Sequence, residues 1–327
     1  MKINSKYVLL ISSMLSSWLF ISGCSNTLEA PSEKIILLKG AIAREENGNH
    51  TNYNLTEGKY NKLEVDKSVA AYDIISGNYI YEKEGSAFIH YKDEDMKILD
   101  KNIINPKLSS GGDYYSYFKK DKYMQLVVKS LKDNKEIEIN TNVAISGNLM
   151  DWSNNNIIYY GIDENKTNGI FSYNVSNGKE ELIYKLESGY LEFLKASKDG
   201  IVFLQGSLSG KKILKSIDKE KNIKVITDEI VELKDIEISE KGIFILGKMK
   251  DNNHSIYEVK DGKVNRIIYD FPNIVHLEKG LSSDENGNVL FIGSTDSFEK
   301  EKIYIYEDGY VKVLTNDNFK YYFVDIK

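Results

Sequence analysis

The chain has 327 residues, 41% of them hydrophobic, with a formal net charge of −6 and a single cysteine, Cys24. An acidic body offers no basic face to nucleic-acid phosphates, which excludes that class of partner; local basic runs such as Lys119-Lys120-Asp121-Lys122 and Lys211-Lys212 read as solvated surface. A lone cysteine excludes a disulfide framework, so a length that fits one large or two smaller domains must be held by its apolar core.

The first element is a leader. Lys2 and Lys6 are the only charges before Glu29, and between them and Cys24 runs an apolar stretch, Tyr7-Val8-Leu9-Leu10-Ile11 through Trp18-Leu19-Phe20-Ile21. This is the basic n-region and apolar h-region of an export signal. It ends Ile21-Ser22-Gly23-Cys24, which resembles the lipobox of bacterial lipoproteins. The resemblance implies signal-peptidase recognition through Ile21, Ser22 and Gly23, cleavage before Cys24, and lipidation of Cys24 with palmitate-type chains. Two acyl chains satisfy the two-signal condition for stable anchoring. An uncleaved membrane helix and a plain secretory signal with a stray thiol are the competing readings, but the run is at the short edge of what crosses a bilayer, and a lone exposed thiol is odd in an oxidising exterior. The expected organisation is therefore a signal peptide at 1–23, a lipidated tether at 24–32 and one domain at 33–327, displayed outside the cell membrane. Loss of residues 1–23 removes Lys2 and Lys6 and no acid, moving the formal charge from −6 to −8. Arg44 and Arg266 are the only arginines against abundant Lys, Ile, Asn and Tyr, a bias that points to an AT-rich, low-GC Gram-positive source.

Beyond the tether an apolar strand follows a Ser and a polar turn at regular intervals. It occurs at Ser76-Gly77-Asn78-Tyr79-Ile80-Tyr81, at Ser110 to Phe118, at Ser153-Asn154-Asn155-Asn156-Ile157-Ile158-Tyr159, at Ser197-Lys198-Asp199-Gly200-Ile201-Val202-Phe203, at Ser239 to Gly247 and at Ser283 to Gly293. The interval is roughly 42 residues, the size of a four-stranded propeller blade. Each unit continues into hairpins, as in Gly169 to Tyr184 around Asn177-Gly178 and Lys302 to Leu314 around Asp308-Gly309, because Asn, Asp and Gly accept the positive φ of a tight turn.

The two ends supply one more unit. Ser32 to Gly40 reads like Ser239 to Gly247 but lacks an innermost strand before it, and Tyr321-Tyr322-Phe323-Val324-Asp325-Ile326 is a strand with nothing after it. The C-terminal strand is expected to close a blade whose other three strands come from the N-terminal side, which protects strand edges. The fold class is thus all-β, a β-propeller of seven four-stranded blades, with six or eight blades and a pair of β-sandwich domains as alternatives. Ala41 to Asn61 is the least regular stretch, and Glu45-Glu46-Asn47-Gly48-Asn49-His50 reads as a long loop in the first blade.

The turn-and-strand pattern is similar to TolB-type or WD-like propeller repeats, with Asp151-Trp152-Ser153-Asn154-Asn155-Asn156 as its best instance. The Pro that usually follows this Ser is absent from every unit, and Asp-Gly survives as Asp199-Gly200. This resemblance concerns structure, and fold does not imply function.

Chemistry is sparse. His50 and His254 fall in polar loops, His90 in the strand Ala87-Phe88-Ile89-His90-Tyr91, and His276 in another unit; no pair has metal-ligand spacing. Asp93-Glu94-Asp95 and Asp163-Glu164 lack the spacing of a calcium loop and read as hairpin tips. No nucleophile elbow or phosphate loop occurs, so neither catalytic residues nor a cofactor are assigned. The recurring Ser is expected to bond the turn that follows it, and Trp152 and the strand tyrosines to pack between blades. These readings favour a non-enzymatic binding or scaffold module for an envelope protein or extracellular ligand. The alternative is a propeller lyase or hydrolase acting on a sugar or peptide, favoured by a deep acidic channel containing His90 or His276.

Overall fold

The computed structural model of the chain describes residues 35–327 apart from 65, 66, 261 and 318 and, of residue 148, the backbone alone. Residues 1–34, with Ile21, Ser22, Gly23, Cys24, the tether and Ser32 to Lys34, lie outside the described residues. Ile35–Lys327 forms one compact unit.

Blade 1 contributes β1 (Ile42–Glu46), β2 (Asn49–Thr56) and β3 (Lys59–Lys62), and blade 2 contributes β4 (Ser68–Tyr72), β5 (Tyr79–Lys83), β6 (Ser86–Tyr91) and β7 (Glu94–Lys97). Blade 3 has β8 (Ile103–Leu108), β9 (Tyr114–Lys120) and β10 (Met124–Ser130). Blade 4 has β11 (Ala144–Ser153), β12 (Asn156–Ile162), β13 (Asn168–Asn174) and β14 (Glu180–Lys185). Blade 5 has β15 (Tyr190–Ser197), β16 (Gly200–Gly206), β17 (Lys212–Asp218) and β18 (Ile223–Thr227). Blade 6 has β19 (Ile230–Ser239), β20 (Gly242–Met249), β21 (His254–Lys260) and β22 (Lys263–Arg266). In blade 7 the inner strand is split into β23 (Ile274–Val275) and β24 (Leu281–Ser283) by a 3-10 turn at Leu277–Lys279, and β25 (Val289–Ser294), β26 (Lys302–Glu307) and β27 (Tyr310–Val313) follow. The chain finishes with β28 (Lys320–Phe323) and β29 (Asp325–Ile326). The seven sheets stand in a ring, and the fold is a seven-bladed β-propeller.

A blade sheet packs on a neighbour through each face, so its middle strands are buried on both. All six residues of β25 are buried, whereas the outer β14 has none. Apolar clusters accordingly span blade pairs. Phe118 and Val128 of blade 3 pack with Trp152, Tyr159 and Phe171 of blade 4, and Val202 and Leu204 of blade 5 with Ile236, Ile245 and Tyr257 of blade 6.

Ring closure follows the expected plan, with three corrections. β28 pairs antiparallel with β1 as the innermost strand of blade 1, in the order β28-β1-β2-β3. The second strand of that blade is Ile42–Glu46, not the segment ending at Gly40. Ile35 to Leu38 instead runs as irregular chain pinned by Asn54, whose Oδ1 accepts from Leu38 N at 3.0 Å and whose Nδ2 donates to Ile36 O at 2.7 Å. Glu45 to His50 is no long loop: β1 and β2 form a tight hairpin on Asn47 (φ 52°) and Gly48 (φ 81°), the pair of positive φ values a primed turn demands. The third correction is at the C-terminal segment, which breaks at Val324. β28 stays in blade 1, while β29 pairs in parallel with β4 of blade 2. Val324 is buried at the break, and its N–H donates to Ala41 O.

Candidate functional site

The innermost strands carry a ladder of charges that the repeat places at equivalent positions. Lys107, Asp151, Lys195 and Glu237 each stand two residues before a recurring Ser: Ser109, Ser153, Ser197 and Ser239. Their sign alternates from blade 3 to blade 6. Side chains of neighbouring inner strands face one another, so alternation sets each cation against an anion.

Asp151 is the most heavily partnered. Its Oδ1 receives Lys107 Nζ from blade 3 at 2.8 Å and Trp152 N at 3.0 Å, and its Oδ2 receives Ala196 N from blade 5 at 3.0 Å. Lys327, just beyond β29, reaches the same Oδ1 at 3.4 Å and pairs with Asp325 at 3.3 Å. The last residue of the chain thus crosses from blade 2 to blade 4. Burial by itself would raise the Asp151 pKa, but the Lys327 and Lys107 ammoniums outweigh it and hold the carboxyl below the usual carboxylate range. Burial likewise opposes the charge on Lys327, and Asp325 and Asp151 overcome it, raising its pKa.

A second cluster repeats the design. Asp235 Oδ2 accepts from Leu281 N of blade 7 at 2.9 Å and Oδ1 from Ile236 N at 2.7 Å, while Lys195 of blade 5 approaches Asp235 at 3.4 Å and Glu237 at 3.6 Å. Ser283 Oγ donates to Glu237 at 2.7 Å. Glu237 is pushed upward by burial against the opposing pull of Lys195. Lys195 is pushed upward too, burial being outweighed by Asp235 and Glu237.

The third cluster belongs to blade 7. Glu301 accepts Lys279 Nζ at 3.0 Å and Tyr321 N of β28 at 2.8 Å, and Lys279 also donates to Tyr321 O at 3.2 Å. His276 lies beside it, with Nε2 3.1 Å from Ser294 Oγ and Nδ1 3.9 Å from Glu301 Oε1. The order acid, imidazole, hydroxyl is that of a hydrolase triad. Ser294 is 0% exposed, however, and the 3.9 Å separation is too long for a hydrogen bond, so the hydroxyl meets no substrate in this conformation. Burial lowers the His276 pKa against Glu301, with Lys279 adding to the decrease, so the ring favours its neutral form.

The other sequence candidates are dispersed. His50 is in β2 and His254 opens β21, so neither sits in a loop as expected; His254 Nε2 is 2.7 Å from Glu232 and His50 is 3.9 Å from Glu45. His90 lies in β6 as expected, stacked on Tyr79 at 4.5 Å and 2.8 Å from Asp95. Asp95 is part of β7, leaving only Asp93 in the turn that the acidic run was expected to form; it also pairs with Lys67 at 2.9 Å. Asp163 and Glu164 occupy the β12–β13 connection, where Asp163 accepts from Thr167 N at 2.7 Å. Among the described residues, no group of three or more His, Cys, Asp or Glu is placed to hold a metal ion.

The recurring Ser bonds the turn that follows it in three blades: Ser76, Ser197 and Ser239 accept from the turn N–H two residues on, at 3.1–3.2 Å. In blade 3 the residue is Ser109 rather than Ser110, accepting from Tyr114 N at 3.0 Å. Ser153 and Ser283 instead reach neighbouring blades, Ser153 donating to Ser197 O of blade 5 at 2.9 Å and Ser283 to Glu237 of blade 6, and Ser239 also donates to Gly287 O of blade 7 at 2.8 Å. Trp152 is buried between blades, its Nε1 donating to Ser116 Oγ at 2.8 Å. A groove of about 370 Å³ lies between blades 6 and 7, lined by Lys241, Phe244, Glu258, Lys260, Tyr306 and Asp308. The Lys241–Asp308 pair at 3.3 Å bridges it.

Comparison with protein-family models and with curated protein sequences finds no match. Solved structures do match. The β-propeller domain of the trilobed protease from Pyrococcus furiosus superposes with a TM-score of 0.58 at 16% identity, over 86% of this chain and 97% of that one. An oligogalacturonate lyase from Vibrio parahaemolyticus gives 0.54 at 11% identity, over 85% and 86%. TolB from Acinetobacter baumannii is also similar, at 0.45 and 13% over 88% and 79%. What this chain shares with the first two is the propeller fold. The Pyrococcus furiosus domain is described as having an open velcro topology; here β28 closes the ring against β1.

The charge ladder was missed in the sequence because charged residues in strands were read one at a time. Its signal is the alternation of Lys and acid two residues before the repeat serines of blades 3 to 6.

Proposed function

We propose that the chain is an extracytoplasmic lipoprotein, held on the bacterial membrane through lipid on Cys24, whose propeller is a non-enzymatic binding module for an envelope protein or extracellular ligand. The observation that carries the binding reading is that the ionisable side chains near the axis are committed to one another across blade boundaries. Asp151, Asp235 and Glu301 each bind a lysine and a backbone N–H of a different blade or strand, so they build the ring. The anchor rests on the basic, apolar and Ile21-Ser22-Gly23-Cys24 succession.

A hydrolase acting on a sugar or peptide is the second reading, favoured by the Glu301–His276–Ser294 succession. The buried hydroxyl weighs against it.

In-cell crosslinking followed by purification, set against an unrelated lipoprotein, tests the module. A stoichiometric envelope partner is expected; turnover of a glycan or peptide abolished by His276→Ala would overturn the reading. For the anchor, Cys24→Ser is expected to leave the propeller folded and abolish palmitate labelling, and persistent labelling would refute the assignment.

A further inference from the structure

Blade 3 stops one strand short. Its sheet has the order β10-β9-β8, while the fourth strands of the other blades run for four to six residues. Only the lower half of β10 is covered, by a single bridge between Lys129 and Glu136 with Ile137 N donating to Val128 O at 2.8 Å and Ser130 N to Lys135 O at 3.0 Å. After Ile137 the chain leaves for blade 4, where Thr141 meets Tyr159.

These bonds fix which groups face outward. In an antiparallel ladder the backbone of alternate residues points to the same side. Val128 and Ser130 point out of the blade, so Met124 and Leu126 do as well, and their N–H and C=O groups have no partner among the described residues. The result is a notch about one strand wide, roughly 4.8 Å, beside exposed Tyr123 and Met124.

The hairpin tip at the open end of the notch is basic, whereas exposed Glu136 and Glu138 follow at its closed end. The β9–β10 tip reads Lys119-Lys120-Asp121-Lys122. Lys119 is spent on Asp100 and Asp121, at 3.2 and 3.6 Å. Lys120 and Lys122 are exposed and have no carboxylate in ion-pair range among the described residues.

We infer that the outer edge of β10 is a strand-addition site for an extended acidic peptide segment of a partner protein, which completes blade 3 as its fourth strand. Met124 and Leu126 supply the backbone hydrogen bonds, Tyr123 and Met124 the apolar contact, and Lys120 and Lys122 select acidic side chains. The inference rests on the binding-module reading but not on the lipid anchor.

The test is a fluorescence-anisotropy titration of the full chain with a labelled peptide of alternating valine and glutamate, about six residues long. Saturable binding is expected, weakened by at least about fivefold in a Lys120→Glu/Lys122→Glu double variant whose thermal unfolding is unchanged. Alternate N-methylation of the peptide amides is expected to abolish it, as is Met124→Pro, which removes an outward N–H together with the Met124 side-chain contact. Absence of saturable binding, equal binding of the N-methylated or an alternating valine-lysine peptide, or a concentration-dependent dimer lost in Met124→Pro would overturn the inference. A crosslinked cellular partner retained by the double variant would sink this site and leave the binding-module reading standing.

Discussion

Buried and exposed sites of this propeller use the same residue types for different ends. Near the axis, Asp151 is 1% exposed at its side chain and serves Lys107, Lys327 and two backbone N–H groups. In the β25–β26 connection, Lys300 and Asp296 pair at 2.9 Å with side chains 53% and 56% exposed, and neither has a second charged partner among the described residues. Water screens the exposed pair and competes for it, whereas the buried pair stands in a poor dielectric where loss of one member leaves a charge stranded. Contact distance alone does not separate the two; burial and the number of partners do.

That contrast can be broken most forcefully at Asp151. Asp151→Ala is expected to cost about 3–5 kcal/mol in urea unfolding, because Lys107 and Lys327 lose their anion and Ala196 N–H its acceptor. If the loss is no larger than for the exposed Lys300–Asp296 pair, the distinction fails.

Acid sharpens the same contrast. The Asp151 pKa is depressed in the folded state, so its stabilisation is present above the unfolded value of about 3.9 and is lost as pH falls towards the folded value. Asp100 acts in the same sense: the Tyr117 hydroxyl, with Lys129 and Lys119, outweighs burial and holds it at about 2, so its contribution declines between about pH 4 and 2. Glu237 has the opposite sign, its raised pKa favouring folding at the acid end. Unfolding followed against pH is expected to show a steep acid limb that becomes shallower in Asp151→Asn.

A smaller effect is expected of Trp152→Phe, which keeps most of the buried ring but removes the bond to Ser116, for a loss of about 1 kcal/mol by denaturant titration. The smallest belongs to the exposed pair: Lys300→Ala is expected to leave the melting temperature unchanged within error by calorimetry.

Much of the architecture was readable because it is written locally. The Ser-turn-strand period located the second strand of six blades, and Asn177-Gly178 and Asp308-Gly309 located hairpins. Asn47-Gly48 is the same signal, yet it was read as loop because the flanking Glu45-Glu46 and Asn49-His50 are polar. These residues are the tip ends of middle strands, where Glu46 and Asn49 are exposed, and their pairing comes from the backbone and the turn. His50 and His254 were misplaced for the same reason. The Glu301–His276–Ser294 succession had no sequence signal, since its members come from a connection, a turn and a strand end.

By itself, the sequence determined the all-β class, the repeat of roughly 42 residues and the joining of the two ends in one blade, because period-2 burial and tight turns depend on residues a few positions apart. Tertiary structure alone decided that Lys107 meets Asp151 and that Lys195 meets Asp235, that the closing segment divides at Val324 between two blades, and that blade 3 lacks its fourth strand. Such outcomes depend on residues some forty positions apart, or at opposite ends of the chain, which become neighbours only when the sheets close into a ring.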